Sequence, residues 1–472
     1  MRTRLAPALT ATVLLVAGLA AAPQSSSAAP AVAPVTDSDT RPQGALHRQV
    51  APPGPSARAL GLDPVRSPRS FTGHAFDRCV TPSSEAMDTW RRASPFAAVG
   101  IYISGGGRAC PESAQPYLSP QWVARQHQRG WRFLPIHVGL QAPCFQHGDG
   151  SPTKPRMATR TGKAHHQGAS AADASVAKAR YFGLGEGSTL YLDIEWYDRA
   201  QSGCNRAVLA HVDGWTERLH DLGYRSGLYS SASAAIQALD VARSRDGARY
   251  TWPDQLWFAW GNGRADLAGV PYLSDSFWRG DRRLHQYQLD TVATYGGTSL
   301  DIDRNWMSVG KGSRPRPERG TCDRRLSFRA YPVLERGADG RRVAAAGCLL
   351  QRHGWTADEP GESFDRSTSR ALERMQRGSG LPVSGRLTTR SWAVLLSTGR
   401  TPLVKVGSQT QSVWRLQRSL RAAGCQAPLT GVFDRTTARA VKSYERRVGL
   451  SVNGVADRRV WARLTRGVVG RG

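Results

Sequence analysis

The chain of 472 residues carries 64 Lys and Arg against 37 Asp and Glu, a formal net charge of +27, with 40% apolar residues. That length predicts two to four domains with ample material for a core, and the composition excludes a disordered or collagen-like chain. Positive excess favours an anionic surrounding, such as anionic wall polymers or lipid headgroups. Nucleic acid is set aside as a partner, because the arginines are spread along the chain and not gathered in a stripe with interleaved aromatics.

Arg2 and Arg4 precede an apolar run from Val13 to Ala22 and small residues through Ala29, the pattern of a removable secretory signal over residues 1–29. Beyond it no apolar stretch is long enough to span a bilayer, and no Cys stands near the cleavage region to carry a lipid anchor. The expectation is a secreted protein, extracellular or wall-associated, that does not span the membrane. Residues 30–69, rich in Ala, Pro, Ser and Arg without apolar periodicity, read as a disordered linker. Order is expected to begin near Phe71.

From residue 70 to 312 strand-like and helix-like segments alternate. Eight strands are predicted, at His74–Cys79, Ala97–Ser104, Arg132–Val138, Thr189–Glu195, Arg225–Tyr229, Gln255–Trp260, His285–Leu289 and Ser299–Asp303. Helices are predicted at Ala169–Phe182, Arg206–Leu222 and Ser231–Ala242. Such alternation implies an α/β fold with a parallel sheet, and eight strands imply a closed (β/α)8 TIM-like barrel. An open doubly wound sheet is the second arrangement, but Gly105-Gly106-Gly107 lacks the spacing of its phosphate loop.

The chemistry sits at predicted strand ends. In Tyr191-Leu192-Asp193-Ile194-Glu195, side-chain alternation puts Asp193 and Glu195 on one face, with backbones about 7 Å apart. Like charges at that range raise one carboxyl's pKa, which keeps a general acid protonated near neutral pH. Leu300-Asp301-Ile302-Asp303 repeats the device, and Phe76-Asp77 ends the first strand. Asp77, Asp193, Glu195 and Asp301 are the predicted catalytic group. Asp303, Trp257, Trp260 and Tyr287 are the predicted substrate-binding group, because aromatic faces cover sugar rings while acids handle hydroxyls and the glycosidic oxygen. Trp257 and Trp260 suit core packing equally well. A lone acid at a strand end is often a helix cap or an ion-pair partner, so the assignment rests on the Asp193/Glu195 pair. His137 and His165-His166 lack the spacing of a zinc peptidase. No metal and no cofactor are called for.

After a second linker at 313–329, the tail repeats itself. Gly337, Val343, Leu350 and Gly354 recur as Gly407, Val413, Leu420 and Gly424; Phe364-Asp365, Leu381, Gly385 and Trp392 recur as Phe433-Asp434, Leu450, Gly454 and Trp461. Two small all-α modules of three helices follow, at 330–398 and 401–468. Seven Cys without C-x-x-C spacing read as disulfides in an oxidising compartment. Neighbouring loops on one rim make Cys79 with Cys110 and Cys144 with Cys204 one set of pairs; Cys322 with Cys348 would then staple the linker to the first module and leave Cys425 alone, a connectivity that spacing leaves open.

The tail units resemble the three-helix peptidoglycan-binding module found on many wall hydrolases. The second keeps Leu416-Gln417 where that family has Leu-Gln, and the first has Ala346-Gly347 there. The barrel resembles the family 25 glycoside hydrolases (Chalaropsis-type lysozymes), and more closely a related glycoside-hydrolase-like domain of exported proteins. The residues that carry this are Asp77, the Leu-Asp-Ile-Glu motif, Leu-Trp-Phe-Ala-Trp from Leu256, His-Gln-Tyr from His285 and Leu-Asp-Ile-Asp from Leu300. The resemblance implies that Glu195 is the general acid, that Asp193 steadies charge or an acetamido group, and that Asp77 and Asp301 complete the site. Asp303 stands where the lysozymes usually have Asn, and Trp260 where they often have Tyr. The expected partner is peptidoglycan or another wall glycan. Three functions remain: a wall glycosidase, a non-catalytic glycan-binding wall protein, and a metal-dependent peptidase.

Overall fold

A computed structural model describes residues 54–146, 154–315, 317–318, 325–356 and 358–470. The predicted signal at 1–29 lies outside the described residues, as does most of the first linker. The rest of that linker is built into the fold: Ala57 and Val65 are buried, and Val65 bridges Leu184. Two apolar anchors so far apart leave no periodic pattern to read.

Eight strands close into one barrel in chain order. They are β1 (Phe71–Asp77), β2 (Phe96–Ser104), β3 (Arg132–Val138), β4 (Thr189–Ile194), β5 (Arg225–Ser231), β6 (Gln255–Ala259), β7 (Arg282–Tyr295) and β8 (Thr298–Val309). Five α-helices follow the first five strands: α1 (Ser84–Ala93), α2 (Pro120–Gln128), α3 (Thr161–Tyr181), α4 (Ser202–Asp221) and α5 (Gln237–Arg245). Ser83 and Ser119 cap α1 and α2 by accepting from Ala86 N and Trp122 N. Between α3 and α4 the backbones touch at glycine; a Cβ on Gly168 would lie 2.0 Å from His211 O, and one on Gly214 2.1 Å from His165 O.

The full (β/α)8 alternation is corrected at its end. No helix separates β6 from β7 or β7 from β8, and β8 runs antiparallel to both β7 and β1. The cause is local. Tyr295 pairs with Thr298 across Gly296 and Gly297, which have φ of 60° and 82°. Two consecutive positive φ values make the two-residue turn that joins antiparallel strands, and two glycines permit it.

The barrel interior is filled by side chains such as Ala75, Leu134, Tyr191, Trp257, Leu284 and Met307. A larger apolar layer lies between the strands and the helices. The tail folds as predicted, with α6 (Arg341–Arg352), α7 (Arg366–Gly378) and α8 (Thr389–Ser397) in the first module, and α9 (Gln411–Ala422), α10 (Arg435–Arg447) and α11 (Arg458–Thr465) in the second. The repeated Asp365 and Asp434 cap α7 and α10, and the repeated Trp392 and Trp461 donate to Pro332 O and Pro402 O, each at 2.8 Å. Leu326, assigned to the second linker, belongs to the first module's core.

The repeats differ where the sequence differs. Buried Gln417 accepts from Thr430 N and Gly431 N and donates to Val432 O, so it shapes the loop before α10. In the first module Gly347 holds the place, and Pro360 sits where a side chain would go. Disulfides join Cys79 to Cys110 and Cys144 to Cys204, Cys348 is also disulfide-bonded, and Cys425 is free and buried. Cys322 lies outside the described residues. No helix among the described residues is long and apolar enough to cross a membrane.

Candidate active site

All five predicted carboxylates line one cavity of about 300 Å³ at the barrel mouth: Asp77, Asp193, Glu195, Asp301 and Asp303. They arrive from three strands. Asp77 ends β1 and stands opposite Asp303 in the β1–β8 register; Asp193 lies in β4, and Glu195 is the first residue beyond it. The last two aspartates reach the mouth differently from the expectation. Because β8 is reversed, they lie in its first half, and the strand then runs down the wall to Val309.

Asp77 forms the floor. It is 2% exposed and lies against Gly100 of β2, where a Cβ would fall 2.5 Å from Asp77 Cβ. Asn305 Nδ2 donates to Asp77 Oδ1 at 2.6 Å, and the Tyr102 hydroxyl donates to Oδ2 at 3.3 Å. Gln286 Nε2 donates to both Asp77 and Asp303, the latter at 3.1 Å, while Gln286 Oε1 accepts from the Tyr229 hydroxyl at 2.7 Å. Burial first, and then the Asp303 charge, push the Asp77 carboxyl up to about 7 against these donors. Burial likewise pushes Asp303 up to about 6.

The second group stands on β4. Asp193 is 5% exposed, and burial, with Glu195 and Asp77 adding like charge, drives its carboxyl well above the usual range. Glu195 is half-buried and forms an ion pair with Lys154, Nζ to Oε1 at 2.6 Å. Its backbone is held by Gln141, whose Oε1 accepts from Glu195 N at 2.7 Å while Nε2 donates to Asp193 O at 3.1 Å. The mouth therefore divides its labour. Asp77 and Asp193 are the carboxyls whose proton affinity burial raises, and Glu195 is the more open one, facing Lys154. Asp193 Oδ1 and Arg78 Nε are buried without partners, and both residues line the cavity. Unpaired buried polar atoms are what a polar ligand satisfies.

The predicted aromatics do not gather there. Trp257 is barrel core, edge-on to Tyr191 and Tyr229, with Nε1 donating to Asn305 Oδ1 at 2.7 Å. Trp260 stacks on His285 outside the lining of the cavity. Tyr287 packs into the core of the second module. Alternation told which residues share a face of β6 or β7, and not which face met the lumen. Missed in the sequence were Tyr102, Lys154, Gln141, Gln286 and Asn305, and also Trp196, which follows Glu195 and is 54% exposed. Lys154 and Gln141 come from the long loop after β3 and carry no spacing signal. Asn305 could have been found, since it continues the Asp301, Asp303 alternation.

Elsewhere, His165, Asp213 and Glu217 bring donor atoms within 4.8 Å of one another between α3 and α4. Both carboxylates are already engaged by Thr251, at 2.7 Å and 3.1 Å.

Comparison with known proteins bears on the domains. Residues 88–307 match the family model of the Rv2525c-like, glycoside hydrolase-like domain, and residues 339–395 and 409–464 each match a peptidoglycan binding domain. No curated protein sequence matches the chain. Among solved structures, an uncharacterized protein of B. stearothermophilus is 18% identical, with 50% of this chain and 95% of that one covered and a TM-score of 0.34. The Tat-secreted protein Rv2525c of Mycobacterium tuberculosis, solved with L-tartrate, is 15% identical over 50% and 95%, with a TM-score of 0.32. A family 25 glycosyl hydrolase from Bacillus anthracis is 12% identical over 52% and 93%, with a TM-score of 0.29. The chain thus joins a glycoside hydrolase-like barrel to two peptidoglycan-binding repeats, a domain content directed at cell-wall glycan.

Proposed function

We propose that this glycoside hydrolase-like barrel, held on peptidoglycan by its two C-terminal modules, hydrolyses a β-1,4 bond next to an N-acetylated sugar. One observation carries the reading: the acids of β1, β4 and β8 line a single open cavity in which burial raises the Asp77 and Asp193 carboxyls above the usual carboxylate range. In this mechanism Glu195, the more accessible of the β4 pair, takes up a proton once the saccharide has parted it from Lys154, through Asp193 whose carboxyl is raised by burial. It gives that proton to the leaving oxygen as the glycosidic bond breaks, and a water adds to the anomeric carbon and returns a proton to the pair. Asp193 lies one alternation below and hydrogen-bonds the sugar's polar substituent. Asp77, Asp301 and Asp303 bind hydroxyls and balance charge, and Trp196 offers an exposed ring beside Glu195. The modules raise the local substrate concentration by tethering. Two disulfides in the barrel fit a site of action outside the cytoplasm, in the wall or the medium.

The test is reducing-end release from purified peptidoglycan by the full chain. The wild type releases ends, and Glu195→Gln loses about 10²–10⁴ of that rate, the contribution of a positioned acid. The second reading is a saccharide receptor, favoured by the Lys154–Glu195 ion pair and by the absence of Trp257, Trp260 and Tyr287 from the cavity lining. No release from any wall preparation between pH 4 and 8, with sedimentation on the wall intact, establishes the receptor in its place. Release of free amino groups in place of reducing ends, lost on chelation, establishes a metal-dependent peptidase or amidase.

A further inference from the structure

The other end of the barrel holds a larger cavity, about 770 Å³, ringed by the starts of β1, β2, β3, β4, β5 and β6 and closed on one side by Lys405–Ser408 of the second module. Arg66, Arg69, Arg91, Arg132, Arg225, Lys311 and Lys405 line it, and among the described residues no Asp or Glu does. Among the described residues these cations form no ion pair with an acid, and they act on each other. Burial and the Arg69 charge push Arg132 down to about 10, burial and Arg132 do the same to Arg91, and Arg91 and Arg132 both bear on the buried Lys405. Arg91 Nη1 is buried with no hydrogen-bond partner. Lys405 Nζ is saturated by the carbonyls of Arg91 (2.8 Å), Ser94 (3.3 Å) and Phe96, so it fixes the module on the barrel, and the arginines carry the charge of the cavity.

A guanidinium cannot shed its charge by titration at physiological pH, and several of them around one water-accessible space call for an anion. Planar donor forks suit the tetrahedral oxygens of phosphate. The space greatly exceeds one such group, and the number of cations requires a ligand with several negative charges.

We propose that this basal cavity is a binding site for a phosphate-bearing polyanion, gripped by the arginines at the barrel base and walled by the second module. The proposal is independent of whether the mouth hydrolyses glycan. Two sources share the chemistry, a soluble phosphate polymer and the headgroups of an anionic lipid surface.

Tripolyphosphate is titrated into the full chain at fixed ionic strength, with Trp131 in the cavity wall as the fluorescent reporter. Saturable binding is expected in the wild type. It weakens at least tenfold in Arg66→Gln/Arg69→Gln, two exposed positions whose replacement leaves the core alone, and changes less than twofold in Arg366→Gln/Arg370→Gln, an equal loss of charge on exposed α7. Equal weakening in both double variants, non-saturating binding, or equally tight binding of citrate overturns the assignment. Displacement of bound tripolyphosphate by phosphatidylglycerol vesicles identifies the lipid source. Retention in their presence identifies the soluble polymer.

Discussion

At the mouth, Asp77 and Asp193 are buried acids with half-buried Asp303 beside them; at the base, Lys405 is buried and Arg91 and Arg132 are half-buried, and one closed sheet separates the two groups. The same desolvation acts on both, yet the outcomes differ. A carboxyl pressed by like charge takes up a proton within the ordinary pH range, as Asp77 does at about 7. An arginine pressed to about 10 still holds its proton at pH 7, so its charge has to be met by a ligand or borne as strain. The mouth is therefore built to answer to pH, and the base to anions.

The largest effect that separates the two ends is on activity. Glu195→Gln abolishes release of reducing ends by the factor given above, whereas Arg66→Gln/Arg69→Gln leaves turnover of a short soluble glycan unchanged; equal loss in both would show that the ends are not separate. Next comes stability. Asn305 is fully buried between Asp77 and Trp257 Nε1, so Asn305→Leu strands two polar groups and lowers the unfolding free energy by about 2–4 kcal/mol in a urea titration.

Asp77→Asn probes the pH response with a smaller change. The wild-type carboxyl has a folded pKa above its unfolded value of 3.8, so the folded state binds the extra proton between about pH 4 and 7 and stability falls as pH rises through that window. Asparagine keeps the shape and removes the titration. The variant gains about 1–3 kcal/mol over wild type at pH 8 and nothing at pH 3.5, read from paired denaturation curves. The smallest effect is at the base. Replacing chloride by sulfate at equal ionic strength raises the wild-type melting temperature by about 1–3 °C through preferential binding to the native state, and the increment vanishes in Arg66→Gln/Arg69→Gln.

Much of this molecule is legible in the residue order. Alternation in Leu192-Asp193-Ile194-Glu195 sets two acids on one face because the period of a strand is a local property of L-residues. The tail repeats likewise carry their caps, turns and terminal Trp in the chain itself. A hairpin was also there to read in Tyr295-Gly296-Gly297-Thr298, between runs that pair throughout. Overlooking it assigned Asp301 and Asp303 to the end of a parallel strand when they begin an antiparallel one.

What residue order settled by itself is the set of acids, the eight strands and the paired modules, all of which follow from short-range periodicity and turn chemistry. Tertiary structure alone decided the rest: that Trp257 fills the barrel, that Tyr287 lies under a module more than a hundred residues later in the chain, that Lys154 meets Glu195, and that arginines from the segment before β1, from α1 and from the starts of β3 and β5 converge at the base. Each of these is a meeting between distant segments, fixed by strand direction and barrel closure, and no window of neighbouring residues contains it.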